Sequence, residues 1–394
     1  MIDAKPRTGR IAVTKADWAR PVTASYEFRT SVITAYDGTE QRAALRQEPR
    51  VTVGFKTILS ESGIERHLRD LTTGQTDPFI VPMPWRAETL ATDASGATLT
   101  LSNLPFWCAP GEQVILDGET EEVATVQSIS GNTVSLAAVP VGVFRAGDRL
   151  LHAAQAWADG TVDFRAHTDS LWEASVEYRI NPAVSPVAPP LTPAQFGGRD
   201  VLLARPDWRR RPRVSLTAQL QMFDPGRGLF DLRTPVAHST RQVRLGFTEV
   251  SADAAETLAA FFLRQKGKRG AFYAPTFGGD WRARVTAPGG SSNLEIEGPD
   301  FRAAYENHPV LDCIHASFPD GSYQINRIAA FQTTLLNDTL LTMTDPWAQD
   351  VTPDTVLSWC PLWRFAADKL EVKWLTNAVA TVEMTMQTLP KEAP

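Results

Sequence analysis

Apolar and polar residues alternate along much of this chain. The runs "RVTVGF" (50–55) and "RQVRLGF" (241–247) change side at every residue, as half-buried strands do. After each run the period lengthens to that of a helix. In "SADAAETLAAFFLRQKG" (251–267), Leu258, Phe261 and Phe262 recur at i, i+3 and i+4 and form one apolar face. Ser251 is placed to cap the N-terminus, with Asp253 in the first turn, and Gly267 is placed to end the helix after Arg264 and Lys266. In the counterpart "SESGIERHLRDLTTG" (60–74) the stripe is Ile64, His67, Leu68 and Leu71, with His67 read as a packed or surface histidine. Each helix leads into a strand closed by proline, "PFIVP" and "AFYAP".

These parallels extend along the whole chain. "ADWARP" (16–21) and "PDWRRRP" (206–212) both hold Asp-Trp before basic residues, and Trp18 precedes Trp208 by 190 positions. Gly54-Phe55 lies over Gly246-Phe247 at 192, Phe79 over Phe272 and Pro82 over Pro275 at 193, and Trp85 over Trp281 at 196. "GTVDFRAHTDSLWEASVEYRINP" (160–182) lies over "DKLEVKWLTNAVATVEMTMQTLP" (368–390) at 208 throughout. An offset that only grows indicates a duplicated module with a longer insertion in its second copy.

The expected fold is therefore mainly β and internally duplicated. Each copy is a β-barrel or sandwich with one packed helix and an inserted small antiparallel β-barrel. Copy one spans 1–182 with its insertion at about 89–152. The Pro/Gly-rich segment 183–198 links the copies, and copy two spans 199–394 with its insertion at about 283–362. In the first insertion Gly118, the Gly131-Asn132 turn and Gly147 punctuate short alternating strands. "GSYQINRIAA" and "NDTLLTMTD" take the same parts in the second. If each copy has its own core, residues 199–394 fold alone.

Composition narrows the function. The chain has 394 residues and a net charge of -6, which argues against a general nucleic-acid binder. Its one dense basic run, Arg209, Arg210, Arg211 and Arg213, reads as a solvated or interface patch. Cys108, Cys313 and Cys360 are dispersed and odd in number, as expected in a reducing compartment. The opening "MIDAKPRTGRIAV" lacks a signal-peptide core, and no segment reaches the roughly 18 apolar residues of a membrane helix. Synthesis in a cytoplasm without membrane contact is the expectation.

Catalytic patterns are missing: no G-x-S-x-G, P-loop, dinucleotide fingerprint or H-E-x-x-H occurs. No enzyme activity and no cofactor are expected. The best metal candidate is "HPVLDCIH", with His308, Cys313 and His315, which Cys360 could join. Without a close Cys or His ligand pair it reads as structural. The acidic "DGETEE" (117–122) reads as a solvated hairpin tip. Of the 11 Trp, Trp107, Trp157, Trp347, Trp359 and Trp363 do not recur between copies and are the freer candidates for stacking on a sugar.

The run "VRLGFTEVSADAAETLAAFFLRQKGKRGAFYAPTF" (243–277) resembles the strand–helix–strand element of tail-tip proteins of long-tailed bacteriophages and gene transfer agents, the distal tail and minor tail proteins. The shared features are Phe261-Phe262, the basic "RQKGKRG" turn and the aromatic strand at Phe272-Tyr273. The opening 17–50 resembles tail proteins of phages and prophages. The resemblance implies a structural virion protein at the tail tip. It would form a homo-oligomeric ring between tail tube or distal tail ring and the central hub and baseplate, around a channel for the tape measure protein and DNA in transit. A six-fold tube meeting a three-fold hub favours a trimer of duplicated chains, with a hexamer next. An acidic balance suits a channel that DNA should not stick to. Some lambda-type tip proteins carry a cysteine-bound iron–sulfur domain, for which this chain lacks the cysteines. The alternative is a carbohydrate-binding or receptor-binding tail module, which would need exposed Trp in a cleft.

Overall fold

The computed structural model describes residues 2–3, 7–8, 10–12, 15–35, 38–73, 76–182, 188–207, 209, 213–218, 221–224, 226, 228, 231–234 and 239–390. The fold is mainly β. The first half begins with two short strands, β1 (Ile2–Asp3) and β2 (Arg7–Thr8). The long strands β3 (Val22–Thr34) and β4 (Glu40–Ser60) follow, then helix α1 (Glu61–Thr73) and β5 (Phe79–Thr89). Four strands come next: β6 (Thr98–Thr100), β7 (Gln113–Asp117), β8 (Glu121–Ser130) and β9 (Thr133–Leu136). The half closes with β10 (Arg149–Ala158), β11 (Asp163–Ala166) and β12 (Leu171–Ile180).

After β13 (Ala194–Phe196) and β14 (Arg199–Val201) come β15 (Arg213–Thr217), the hairpin β16 (Gln221–Phe223) and β17 (Asp231–Arg233), and β18 (Thr240–Ser251). Helix α2 (Ala252–Gln265) leads to β19 (Phe272–Tyr273). A five-stranded group follows: β20 (Asn293–Ile296), β21 (Cys313–Ser317), β22 (Tyr323–Thr333), β23 (Thr339–Met343) and β24 (Val356–Trp359), with helix α3 (Asp300–Tyr305) after β20. The last strands are β25 (Leu362–Phe365), β26 (Lys369–Trp374) and β27 (Val379–Thr388).

Eight of these strands form one antiparallel arc, a half-barrel, in the order β11-β12-β4-β3-β26-β27-β18-β15. Behind it β10 joins β12 to β5, and β25 joins β27 to β19. Burial alternates along β27 without a break, the sign of a strand with one face on the core. Helices α1 and α2 pack against the arc, whereas α3 lies on the five-stranded group. The Ser251 hydroxyl accepts from Ala254 N–H at 3.3 Å and caps α2. Leu258, Phe261 and Phe262 are buried, as their spacing requires. The left-handed residue that ends α2 is Lys266 rather than Gly267. Gly267 has φ +64, and a Cβ there would lie 2.7 Å from Asp368 Oδ1, so a side chain is excluded twice over.

One cluster of buried apolar side chains runs through both halves. It joins Val53, Phe79 and Trp85 to Phe262, Phe365 and Trp374. The arc's core is thus shared rather than closed within each half. Of the four smaller cores among the described residues, two each lie within one stretch of chain. One, with Leu99, Trp107, Val114 and Phe144, belongs to the stretch 90–150. The other, with Trp281, Leu294, Trp347 and Trp359, belongs to 281–359.

The structure corrects three local expectations. The acidic 117–122 run is not a solvated tip. Asp117 and Glu121 are buried, Arg149 binds Asp117, and the Glu122 carboxylate accepts from Val141 N–H and Gly142 N–H. Leu68 points away from the α1 stripe and is 44% exposed. Trp281 lies in the 281–359 core whereas Trp85 lies in the shared one, so the two do not correspond.

Candidate functional site at the junction of the halves

The structural feature with most at stake is the seam where β3 of the first half meets β26 of the second. Lys369 stands opposite Glu27, Leu370 opposite Tyr26, Val372 opposite Ala24 and Trp374 opposite Val22. Ala24, Tyr26, Leu370, Val372 and Trp374 are all buried there. Asp368 ties the seam together. Its side chain accepts from Thr30 N–H at 2.7 Å, Thr30 Oγ1 at 3.0 Å and Lys268 N–H at 2.9 Å.

A buried polar network locks α2 to β5 across the same seam. Arg86 donates twice to the Glu256 carboxylate, Nε at 2.7 Å and Nη2 at 2.8 Å, and Trp85 Nε1 adds a third bond at 3.0 Å. Arg86 Nη1 also meets His152 Nδ1 at 3.2 Å, and His152 Nε2 meets Glu112 at 3.2 Å. Burial alone would lower the Arg86 pKa, but the adjoining Glu256 charge raises it. Burial lowers the His152 pKa, so the imidazole is held neutral. Burial and the Glu256 charge raise the Tyr26 hydroxyl, whose proton is therefore firmly held. A second bidentate pair, Arg364 with Glu40 at 2.6 and 2.8 Å, joins β25 to β4. Each charge in these pairs has a fork-matched partner, which is what makes burial tolerable. They hold the halves in one geometry.

Of the sequence-derived metal candidates, two lie on one strand and His308 in the loop before it. Cys313 and His315 share one face of β21. The Cys313 thiol donates to Asp312 at 3.2 Å, and burial pushes its pKa up to about 12. His315 stacks on Tyr323 at 5.4 Å, and burial lowers its pKa to about 4. Cys360 is buried next to Cys313, its N–H donating to the Cys313 carbonyl. His308 sits beyond α3, where Nδ1 accepts from Val310 N–H at 3.2 Å and Leu311 N–H at 3.1 Å. Among the described residues no group of three or more His, Cys, Asp or Glu is arranged to hold a metal ion. No described helix is long and apolar enough to cross a membrane.

Trp107, Trp347, Trp359 and Trp363 are buried. Trp157 donates its indole N–H to the Thr76 carbonyl at 2.9 Å. Trp18 lines a surface cavity of about 500 Å³ with Lys15, Asp117, Arg149 and Asn377. Arg209 pairs with Glu249, and Arg213 is exposed on β15; Trp208, Arg210 and Arg211 lie outside the described residues. Arg86 and Glu256, the best-built polar pair, escaped sequence reasoning because 170 residues separate them and neither belongs to a local motif. The chain matches no known family profile, and no curated protein shows significant similarity to it.

Proposed function

We propose that this chain is a structural ring protein of a phage tail tip, acting by assembly rather than catalysis. The observation that carries the proposal is the eight-stranded arc, at whose two ends no further strand pairs among the described residues. An open half-barrel whose two ends differ can close only head to tail with further copies, and such heterologous contacts give rings when the rotation closes. In this reading three chains form a ring between tail tube and hub, with the arcs lining a channel for tape measure and DNA. The arms that leave the arc expose Ile33, Leu45, Met222 and Phe223, suited to contacts with the layers above and below.

A duplicated module makes that closure regular, and a set of matching backbone bonds supports the duplication. Ile11 bridges Ile80 in parallel as Val201 bridges Tyr273, and Ala12 N–H donates to the Ile80 carbonyl as Leu202 N–H does to Tyr273. The repeated Asp-Trp fits the same scheme. Asp17 N–H donates to the Lys56 carbonyl and its carboxylate accepts from Ala19 N–H. Asp207 N–H donates to the Gly246 carbonyl and its carboxylate accepts from Arg209 N–H. The β11–β12 and β26–β27 hairpins share a register, Phe164 opposite Ala174 and Val372 opposite Val382, and share a turn closed by Thr168 and Thr376. These bonds set Gly246 over Lys56, so the Gly-Phe match read from sequence is displaced by two residues.

A glycan-binding module would use the Trp18 cavity, because four of the five freer Trp are buried. Negative-stain images of the purified chain separate the two functions. Closed rings with a central hole support the tip ring; single particles that score in a glycan screen support the binding module.

A further inference from the structure

At the seam inside the chain, β26 covers the outer edge of β3. Among the described residues the matching edge of the second half has no partner strand: β15 pairs with β18 and with no other strand, and at the other end β11 pairs only with β12. The two pairings β3–β4 and β15–β18 match at a shift of 190, Ala24 opposite Val53 as Val214 is opposite Val243. The hairpins match at 208. The seam register can therefore be carried over residue by residue.

From this geometry we infer that β15 of one chain pairs antiparallel with β11 of a second copy, repeating the β3–β26 seam between chains. The inference takes its occupant, another copy of this chain, from the ring reading. Val372 opposite Ala24 becomes Phe164 opposite Val214. Leu370 opposite Tyr26 becomes Val162 opposite Leu216. Asp163 falls diagonal to Arg213, within reach of its charge, which offsets the like pairing of Arg165 with Arg213.

Burial points the same way. Ala24 and Tyr26 are 1% and 5% exposed because β26 and the core lie over them, whereas Val214 and Leu216 are 46% and 69% exposed. Two apolar side chains on one face of an unpaired edge strand are a template for pairing with another chain. The helices repeat the asymmetry. Counted from Ser60 and Ser251 at the starts of the two helices, Leu68 of α1 corresponds to Ala259 of α2; Ala259 is 3% exposed and Leu68 is 44% exposed. Helix α2 is covered by its neighbouring half; α1 faces where the next chain would sit.

The test is a cysteine pair, Phe164→Cys with Val214→Cys, in the full chain, beside the wild-type mass from light scattering. Ala24→Cys with Val372→Cys is the control that must close within one chain. The inference expects oxidation to give ladders of linked chains on non-reducing gels, at least ten-fold more than either single variant gives. It also expects Leu216→Lys to lower the assembled fraction at least ten-fold while leaving the melting temperature of the monomer unchanged. Wild-type assembly without cross-linking, and with Leu216→Lys assembling normally, would overturn the strand pairing and leave the ring reading standing. Cross-linked pairs from a chain that never goes beyond a dimer would support the pairing and overturn the ring. A monomer that neither assembles nor cross-links would overturn both.

Discussion

Trp85 and Trp374 stack across the seam, with ring centroids 5.2 Å apart and planes 12° from parallel. One residue belongs to β5 of the first half and the other to β26 of the second. Offset stacking of two buried indoles contributes beyond the area it buries. Trp374→Ala should therefore destabilise the whole chain by about 3–5 kcal/mol, the range for large aromatics in a core. Chemical denaturation should show one transition moved to lower denaturant. A new early transition confined to the second half would show instead that the halves melt independently.

The same stack bears on truncation. A fragment of 199–394 keeps Trp374, Phe262 and Leu258 but loses β3, β4 and β5, which cover them. It should melt without a sharp transition and bind hydrophobic dye. Cooperative melting of the fragment would mean that the second half holds a complete core.

The Arg86–Glu256 pair should behave as a buried pair does. Glu256→Ala strands a guanidinium and an indole N–H, at a cost of about 3–5 kcal/mol. Replacing both charges, Arg86→Met with Glu256→Leu, should recover most of that loss. A single variant within about 0.5 kcal/mol of wild type would show that water reaches the pair.

His315 makes stability depend on pH. Its pKa lies near 4 in the fold and near 6.5 unfolded, so its contribution is fully present above about pH 6.5. Stability falls as pH drops from there toward 4, because the unfolded chain takes up a proton that the fold refuses. The limit is about 3 kcal/mol at 1.36 kcal/mol per unit. His152, lowered by burial, acts in the same direction. His315→Phe should flatten the melting curve between pH 7 and 5 relative to wild type. Parallel curves would show that the imidazole is protonated inside the fold.

Among the described residues Cys313 belongs to no group of three His, Cys, Asp or Glu that could hold a metal ion. Elemental analysis should find no stoichiometric zinc or iron, and a chelator should leave the melting temperature unchanged. One metal per chain would restore the His308, Cys313 and His315 site.

Local features were legible because local chemistry decides them. Ser251 caps α2 and Phe261-Phe262 face inward, as their spacing alone requires. Where the sequence misled, a distant partner or a backbone irregularity was responsible. Glu122 looked solvated in an acidic run, yet its carboxylate accepts from Val141 N–H and Gly142 N–H, which the run does not contain. Strand β18 bulges between Phe247 and Val250, where Glu249 takes φ 53, an irregularity that the alternation in the sequence does not announce. The open edges were invisible because exposure of Val214 and Leu216 depends on which strand is missing beside them.

The central claim is that the arc closes with copies of itself, three chains to a ring. Native mass spectrometry of the purified chain over a concentration series tests it most directly. The account predicts a discrete species of three chains that replaces the monomer as concentration rises, with no open-ended series beyond it. Six chains would contradict the trimer, and a monomer at every concentration would contradict the ring.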